Sequence, residues 1–189
     1  MDCVTAAVQA VFATGKVDAK RIGLIGHSFG GYQTNFIITQ TDMFAAAVSG
    51  AGIGDTQRHY FGLEHNGITS GSMWRYESQQ FRMGTSFFDS KEGYWRNNPI
   101  VHADAIKTPL LLWAGEIDHV VPFEQSLTFY LALRRLGKKS IFLVYPQGDH
   151  SLTIPGQQKD LSQRVIQWFD YFLKDAADVG WIKVGTSAD

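Results

Sequence analysis

The residues Gly26–Gly31, GHSFGG in one-letter code, are the most informative stretch of this chain. They follow a short β-type run (RIGLI) and precede a helical pattern. A strand, a Gly-x-Ser-x-Gly pattern and a helix in this order predict a nucleophile elbow, a strained turn in which Gly26 and Gly30 give the serine room. Ser28 is therefore the candidate nucleophile, and the amide of Phe29 is the candidate donor to an oxyanion. On the motif alone, an ordinary glycine-rich turn is the alternative.

Two later loops offer an acid and a base in the order that an α/β-hydrolase requires. The apolar run 109–114 (PLLLWA) predicts a buried parallel strand, and Asp118 lies in the loop after it. A second apolar run, 141–145, precedes a loop that ends in His150. Both loops leave the same edge of the predicted sheet as Ser28. The three residues therefore predict a triad in which His150 takes the serine proton and Asp118 orients the imidazole.

Five other histidines are less suited to act as the base. His27 and His119 adjoin candidate site residues, but neither comes after a separate later strand of its own. They are expected to serve in packing or orientation. The other three fall in or beside an irregular middle segment, and they are expected to be solvated or hydrogen-bonded: His59, His65 and His102.

Two other carboxylates compete for the role of the acid. Glu116 is the alternative to Asp118, since glutamate serves in some hydrolases, but Asp118 lies farther into the loop and ahead of a new helix. Asp149 directly precedes His150. Adjacent residues seldom orient one another, so Asp149 is predicted to be a surface carboxylate.

The rest of the chain predicts alternating helices and strands. Helices are expected at about 3–13, 31–40, 123–136 and 159–174, and strands at 21–25, 45–49, 109–114 and 141–145. This alternation predicts an α/β fold, a parallel sheet of about four strands with flanking helices. Residues 55–98 form a long excursion, with a short helix expected at 74–82. Because such a length without clear period is unusual unless functional, the excursion is expected to lie over the active-site edge as a substrate wall.

Composition sets the outer limits. The chain has 189 residues and a formal charge of −1, which suits a single domain over residues 1–189. Lysine and arginine are scattered, and no apolar run approaches the roughly 18 residues of a spanning helix, so neither a nucleic acid nor a membrane is expected as a partner. No metal site, cofactor or signal peptide is expected. The single cysteine, Cys3, excludes an internal disulfide and is expected to be a small buried hydrophobe.

Four motifs resemble the catalytic domain of the prolyl oligopeptidase family of serine peptidases. They are GHSFGGY at 26–32, NNPIVHADAI at 97–106, TPLLLWAGEIDHVV at 108–121 and LVYPQGDH at 143–150. The resemblance implies a serine peptidase with Ser28, Asp118 and His150 as the triad, acting on peptide substrates. It also implies a larger α/β-hydrolase sheet in which the elbow strand is the fifth, with the earlier strands and a β-propeller upstream of this sequence.

The resemblance further implies a pocket for the side chain before the scissile bond. Phe29, Trp74 and Tyr76 match the aromatic residues that line this pocket in the family; ordinary core packing is the alternative for all three. The dipeptidyl-peptidase members carry an aromatic residue where Gln80 stands and an asparagine where Val120 stands. Both differences argue against the removal of dipeptides.

The implied absence of the upstream strands leads to two further expectations. In the family, a second oxyanion donor follows an earlier strand, so the isolated chain is expected to be a weak catalyst. The elbow strand would become an unpaired apolar edge, which predicts a homo-oligomer joined through that edge. A carboxylesterase or acyl hydrolase, which uses the same triad, and a non-catalytic oligomeric scaffold are the alternative functions.

Overall fold

The computed structural model describes residues 1–62, 72–177 and 179–184. Its centre is one sheet of four parallel strands in the order β1-β2-β3-β4. The strands are β1 (Gly23–His27), β2 (Ala46–Gly50), β3 (Leu110–Gly115) and β4 (Ser140–Tyr145). The predicted parallel α/β fold is confirmed, and each strand lies within two residues of its expected position.

Eight helices and a 3₁₀ helix (Pro99–Ala105) are described around this sheet. The helices are α1 (Asp2–Phe12), α2 (Phe29–Gln40), α3 (Thr56–Tyr60), α4 (Ser72–Glu77), α5 (Lys91–Arg96), α6 (Glu124–Arg135), α7 (Pro155–Leu173) and α8 (Trp181–Val184). Helix α7 begins four residues before its expected start because Pro155 occupies its first turn, where the fixed φ of proline suits a helix.

Both faces of the sheet are covered by helices. On one face, Leu111 and neighbouring side chains pack against Trp168 of α7, which is fully buried. On the other face, Leu110 and Leu112 pack against Phe129 of α6. Successive residues of a strand point to opposite faces, so β3 needs apolar residues at every position. This requirement explains its unbroken apolar run.

Strand β1 and helix α1 both carry apolar side chains that are exposed to solvent. β1 pairs with β2 on one side, and its Ile25 is 59% exposed although it is apolar. Helix α1 contains no buried residue. The expectation that Cys3 is buried is wrong, because the side chain of Cys3 is exposed on this helix.

The excursion at 55–98 has a small aromatic core of its own. Four buried rings form this core, with partly buried Phe81 and Met83 packed against them: Tyr60, Tyr76, Phe87 and Tyr94. The single helix expected at 74–82 is wrong in its extent: α4 ends at Glu77, and α3 and α5 also belong to the excursion. Helices of five or six residues are too short to give a clear sequence period. His65 lies at 63–71, outside the described residues.

Candidate active site

The turn between β1 and α2 has the strained geometry of a nucleophile elbow. Ser28 has φ 59° and ψ −121°, a backbone conformation that non-glycine residues rarely adopt. A Cβ on Gly26 would overlap the carbonyl oxygen of Gly30, and a Cβ on Gly31 would overlap the carbonyl oxygen of Gly50. A Cβ on Gly30 would meet no atom of the described chain. The close approach of β1 and α2 therefore requires Gly26 and Gly31. Gly30 is expected from the sequence to give the serine room, but Gly31 has that role in the structure.

The structure brings Ser28, His150 and Asp118 together in one series of hydrogen bonds. Nε2 of His150 lies 2.8 Å from Oγ of Ser28, and Nδ1 of His150 lies 2.9 Å from Oδ2 of Asp118. A carboxylate only accepts hydrogen bonds, so Nδ1 of His150 carries a proton and donates a hydrogen bond to Asp118. In the neutral ring, Nε2 is then the acceptor for the serine hydroxyl. This arrangement is able to withdraw a proton from Ser28.

The loop after β3 holds Asp118 in a fixed orientation. Its side chain is fully buried, and Oδ1 accepts hydrogen bonds of 2.8 Å each from the amides of Val120 and Val121. Glu116 is exposed to solvent in the same loop. Of the two candidate acids, the structure therefore places Asp118 against His150.

Phe29 is the first residue of α2. The first amides of an α-helix have no acceptor within the helix, and the helix dipole favours negative charge at this end. The Phe29 amide, which directly follows Ser28, is thus available to an oxygen that becomes negative beside the serine.

A cavity of about 380 Å³ opens beside Ser28. Phe29, Trp74 and Phe81 contribute aromatic rings to its lining. Its other lining residues beside Ser28 are Ile53, His59, Arg75, Gln79, Gln80, Val120 and Val121. Trp74 is 50% exposed, so its ring is accessible to a ligand.

Tyr76 does not line this cavity but packs behind Phe81, which does. Its side chain is 1% exposed, and its ring stacks on Phe81 with centroids 3.9 Å apart. Phe81 in turn meets Phe29 edge to face at 5.1 Å. Sequence reasoning missed Phe81 because it compared only the position four residues after Tyr76, where Gln80 stands. The aromatic residue Phe81 follows Gln80 directly.

Asp149 belongs to the loop that carries the base and also bonds to the loop that carries the acid. Its Oδ1 accepts hydrogen bonds from the amides of His119, at 2.9 Å, and His150, at 2.6 Å. Its Oδ2 lies 3.0 Å from Nδ1 of His119. The backbone hydrogen bond from His119, followed by that from His150, lowers the pKa of Asp149 to about 2. The Asp149 side chain is 47% exposed, as expected of a surface carboxylate, but its hydrogen bonds also join the loop of the acid to the loop of the base.

His27 contacts the backbone oxygen and the ring of His150. His27, Gly50 and Trp113 are in register across β1, β2 and β3. Because Gly50 has no side chain, the Trp113 ring reaches over it and stacks on His27, with centroids 5.3 Å apart and planes 9° apart. Nε2 of His27 lies 2.8 Å from the backbone oxygen of His150.

His59 is a buried histidine that makes stability depend on pH. Its side chain is 5% exposed, and its Nδ1 lies 3.0 Å from the Tyr76 hydroxyl. Burial, and then the nearby charge of Arg75, lower the pKa of His59 to about 4. The unfolded chain binds a proton at this residue near pH 6.5, whereas the folded chain does not. Stability is therefore lost as the pH falls from about 6.5 toward 4.

We expect this residue alone to remove about 2 kcal/mol of unfolding free energy between pH 7.5 and pH 5. The measurement is urea unfolding at both pH values for the original chain, for His59→Gln and for His102→Gln as a control. His59→Gln is expected to flatten the pH dependence, and His102→Gln to leave it unchanged. An equally steep dependence in His59→Gln would contradict the assignment.

Within residues 1–62, 72–177 and 179–184, no group of three or more His, Cys, Asp or Glu side chains is placed to hold a metal ion. No helix of these segments combines the length and the apolar character needed to cross a membrane.

Comparison with known proteins places the chain in a family. Residues 1–176 match the sequence model of the prolyl oligopeptidase family. The uncharacterized peptidase YuxL of Bacillus subtilis (strain 168) is 29% identical over 175 residues, which are 91% of this chain and 25% of that protein. Acylamino-acid-releasing enzyme 2 of Oryza sativa subsp. japonica is 27% identical over 183 residues, 93% of this chain and 23% of that enzyme. The chain thus spans about a quarter of the length of these relatives.

Solved structures agree with these matches. A puromycin-hydrolyzing peptidase of Mycobacterium tuberculosis superposes with a TM-score of 0.78 at 30% identity, covering 89% of this chain and 24% of the peptidase. An acylaminoacyl peptidase in complex with Z-Gly-Gly-Phe-chloromethyl ketone superposes with a TM-score of 0.77 at 27% identity, covering 97% of this chain and 29% of that structure. The sheet is part of an α/β-hydrolase domain. With its residues 1–176 matched, this chain belongs to the prolyl oligopeptidase family of serine peptidases.

Proposed function

We propose that this chain carries the catalytic residues of a serine peptidase that cleaves peptide bonds through an acyl-enzyme. The observation that carries the proposal is the series of hydrogen bonds from Ser28 through His150 to the buried Asp118. The family match supports the same reaction class. Neither the carboxylesterase nor the non-catalytic scaffold is favoured by an observation of its own.

The proposed reaction has two steps, and His150 moves the proton in each. Oγ of Ser28 attacks the carbonyl carbon of the peptide while its proton passes to Nε2 of His150. His150 then gives this proton to the leaving amine as the C–N bond breaks, and the acyl group stays on Ser28. Water enters, loses a proton to His150 and displaces the serine, to which the proton returns. Asp118 keeps its own charge and stabilises the imidazolium in both steps.

The negative oxygen formed during attack would be stabilised by the Phe29 amide at the start of α2. This is the one donor that the elbow supplies. Removing one oxyanion donor typically costs about 100-fold to 1000-fold in rate. We therefore expect the chain alone to turn over peptides slowly, at a rate lower by a factor of this size than that of a site with two donors.

The cavity beside Ser28 is proposed to bind the side chain before the scissile bond. Phe29 and Trp74 would contact the substrate, while buried Tyr76 would act by supporting Phe81. These rings favour an apolar or proline-like side chain. The bound compound of the similar acylaminoacyl peptidase contains a phenylalanine, which is consistent with such a pocket.

The test compares two substrate types on one protein preparation. Peptide p-nitroanilides ending in phenylalanine, proline or aspartate are compared with p-nitrophenyl butyrate, and Ser28→Ala provides the background. We expect anilide hydrolysis above this background, with phenylalanine or proline preferred over aspartate. Turnover of the ester without turnover of any anilide would contradict the peptidase proposal.

Self-association through the elbow strand is a second proposal. Among the described residues β1 pairs only with β2, and Ile25 on β1 is 59% exposed. An unpaired strand edge with apolar side chains is a template for pairing with another chain. The partner proposed here is a second copy of this chain.

Light scattering after size exclusion is expected to show a dimer or larger species. Ile25→Lys is expected to shift the chain to the monomer because it places a charge on this surface. Val144→Lys is the matched control, since Val144 is 40% exposed on the opposite edge strand β4. A monomeric original chain, or equal dissociation in both variants, would contradict the proposed interface.

A further inference from the structure

We propose that His27 and Asp149 are positioning residues that clamp the backbone of His150 on both sides. The inference rests on the proposed function, in which His150 is the base. Both side chains bond to the main chain of His150, so its two ring nitrogens remain available to Ser28 and Asp118. The His27 ring also packs against the His150 ring, with centroids 4.8 Å apart.

Asp149 holds the amide side. One carboxylate oxygen, Oδ1, accepts from the amides of both His150 and His119, and Oδ2 lies against the His119 ring. His119 follows Asp118 directly, so this single carboxylate ties the loop of the base to the loop of the acid. Because the pKa of Asp149 is lowered to about 2, the carboxylate is ionised at neutral pH, and its hydrogen bonds are of the stronger, charge-assisted kind.

His27 holds the carbonyl side. The backbone oxygen of His150 can only accept, so Nε2 of His27 must carry the proton that it donates over 2.8 Å. The His27 ring is itself fixed by the stack on Trp113, which crosses the gap left by Gly50. The base is thereby anchored to the central sheet and not only to its own loop.

This clamp matters because the proton transfer depends on a short distance. Nε2 of His150 and Oγ of Ser28 are 2.8 Å apart. A displacement of about 1 Å at a reacting group costs on the order of 100-fold in rate. If the His150 loop were free to shift, the rate would fall by this factor even with Ser28, His150 and Asp118 all present.

The test uses two pairs of variants that separate the hydrogen bond from the bulk of each side chain. Asp149→Leu removes the acceptor at similar size, whereas Asp149→Asn keeps an oxygen that accepts the His150 amide. His27→Phe keeps a stacking ring without the donor, whereas His27→Gln keeps a donor. Asp18→Ala is the control, because Asp18 also accepts from a backbone amide, that of Lys20, elsewhere in the fold.

The first readout is the rate at which a fluorophosphonate labels Ser28, together with the final labelled fraction. We expect labelling to slow about 100-fold in Asp149→Leu and about 10-fold in His27→Phe, with full final labelling. Asp149→Asn is expected to recover most of the rate. His27→Gln is expected to recover part of it, because glutamine restores the donor but not the ring that stacks on Trp113. A merely structural role would instead lower the final labelled fraction and leave the rate of the folded molecules unchanged, which would overturn the proposal.

The second readout does not depend on activity. NMR hydrogen exchange is expected to show a protected His150 amide that exchanges at least about 10-fold faster in Asp149→Leu, since its acceptor is gone. An unchanged exchange rate would overturn the clamp. If the original chain is not labelled at Ser28 at all, the proposed function fails, and hydrogen exchange still decides whether Asp149 holds the amide.

Discussion

Turnover of a peptide anilide is expected to fall about 10⁴-fold when Asp118 is replaced by asparagine. The side-chain amide introduced by Asp118→Asn would face Nδ1 of His150 with a donor, and Nδ1 would then have to accept. The ring would carry its proton on Nε2, next to Ser28, and could no longer take the serine proton. The geometry would be kept while the tautomer would be wrong.

The structure predicts that this change leaves the fold intact. The Oδ1 atom of residue 118 would still accept from the amides of Val120 and Val121. We therefore expect a melting temperature close to that of the original chain. Glu116→Gln is the matched control, because Glu116 is an exposed carboxylate of the same loop, and it is expected to retain its turnover. Equal losses in Asp118→Asn and Glu116→Gln would contradict the assignment of the acid.

Ser28→Ala is expected to reduce peptide hydrolysis to the level of the buffer background. Without Oγ there is no nucleophile to form the acyl-enzyme, so the loss does not depend on the substrate. Little stability should be lost, because alanine at φ 59° is as strained as serine and the hydroxyl is bonded only to His150 among the described contacts. The measurement pairs steady-state hydrolysis with a thermal melt.

Ser151→Ala controls for a change of a serine near the site. Ser151 adjoins His150 in the chain but is exposed and does not belong to the series of hydrogen bonds. It is expected to hydrolyse peptides at the original rate. Residual hydrolysis by Ser28→Ala at the same rate would show that another group is the nucleophile.

The order of motifs was enough to predict which loops meet. In a parallel sheet, every strand ends at the same edge as its neighbours, so Asp118 and His150 had to come near Ser28 once β1, β3 and β4 were recognised. Asp118 is preferred to Glu116 on sequence because it lies farther into the loop. The structure gives a physical reason for this choice, since the turn after Asp118 offers two backbone amides to its carboxylate.

The pocket was harder to predict because its wall is made by tertiary packing. Aromatic residues were plentiful at 74–81, and sequence alone did not show which rings face the cavity. Tyr76 turns inward to bond His59 and support Phe81, whereas Phe81 lines the cavity. The short helix α4 ends before Phe81, so helical spacing could not relate the two rings.

The support of His150 depends on register between strands that are far apart in sequence. His27, Gly50 and Trp113 meet only because β1, β2 and β3 pair in one particular register. Sequence reasoning does not select Asp149 as the acid because adjacent residues seldom orient one another. It acts instead on the backbone, through a turn that brings its carboxylate to the amides of His119 and His150. The place of His27 in the elbow predicts a role in packing or orientation, but the sequence does not show that His27 and Asp149 bond to the backbone of His150.

Covalent labelling shows whether Ser28 is a nucleophile activated by His150 and Asp118. The purified chain is treated with a fluorophosphonate, its intact mass is measured, and the modified peptide is sequenced by mass spectrometry. We expect a single adduct on Ser28 that is absent in Ser28→Ala and much slower to form in Asp118→Asn. A folded sample that gains no adduct, or gains it on another residue, would contradict the assignment of Ser28 as the activated nucleophile.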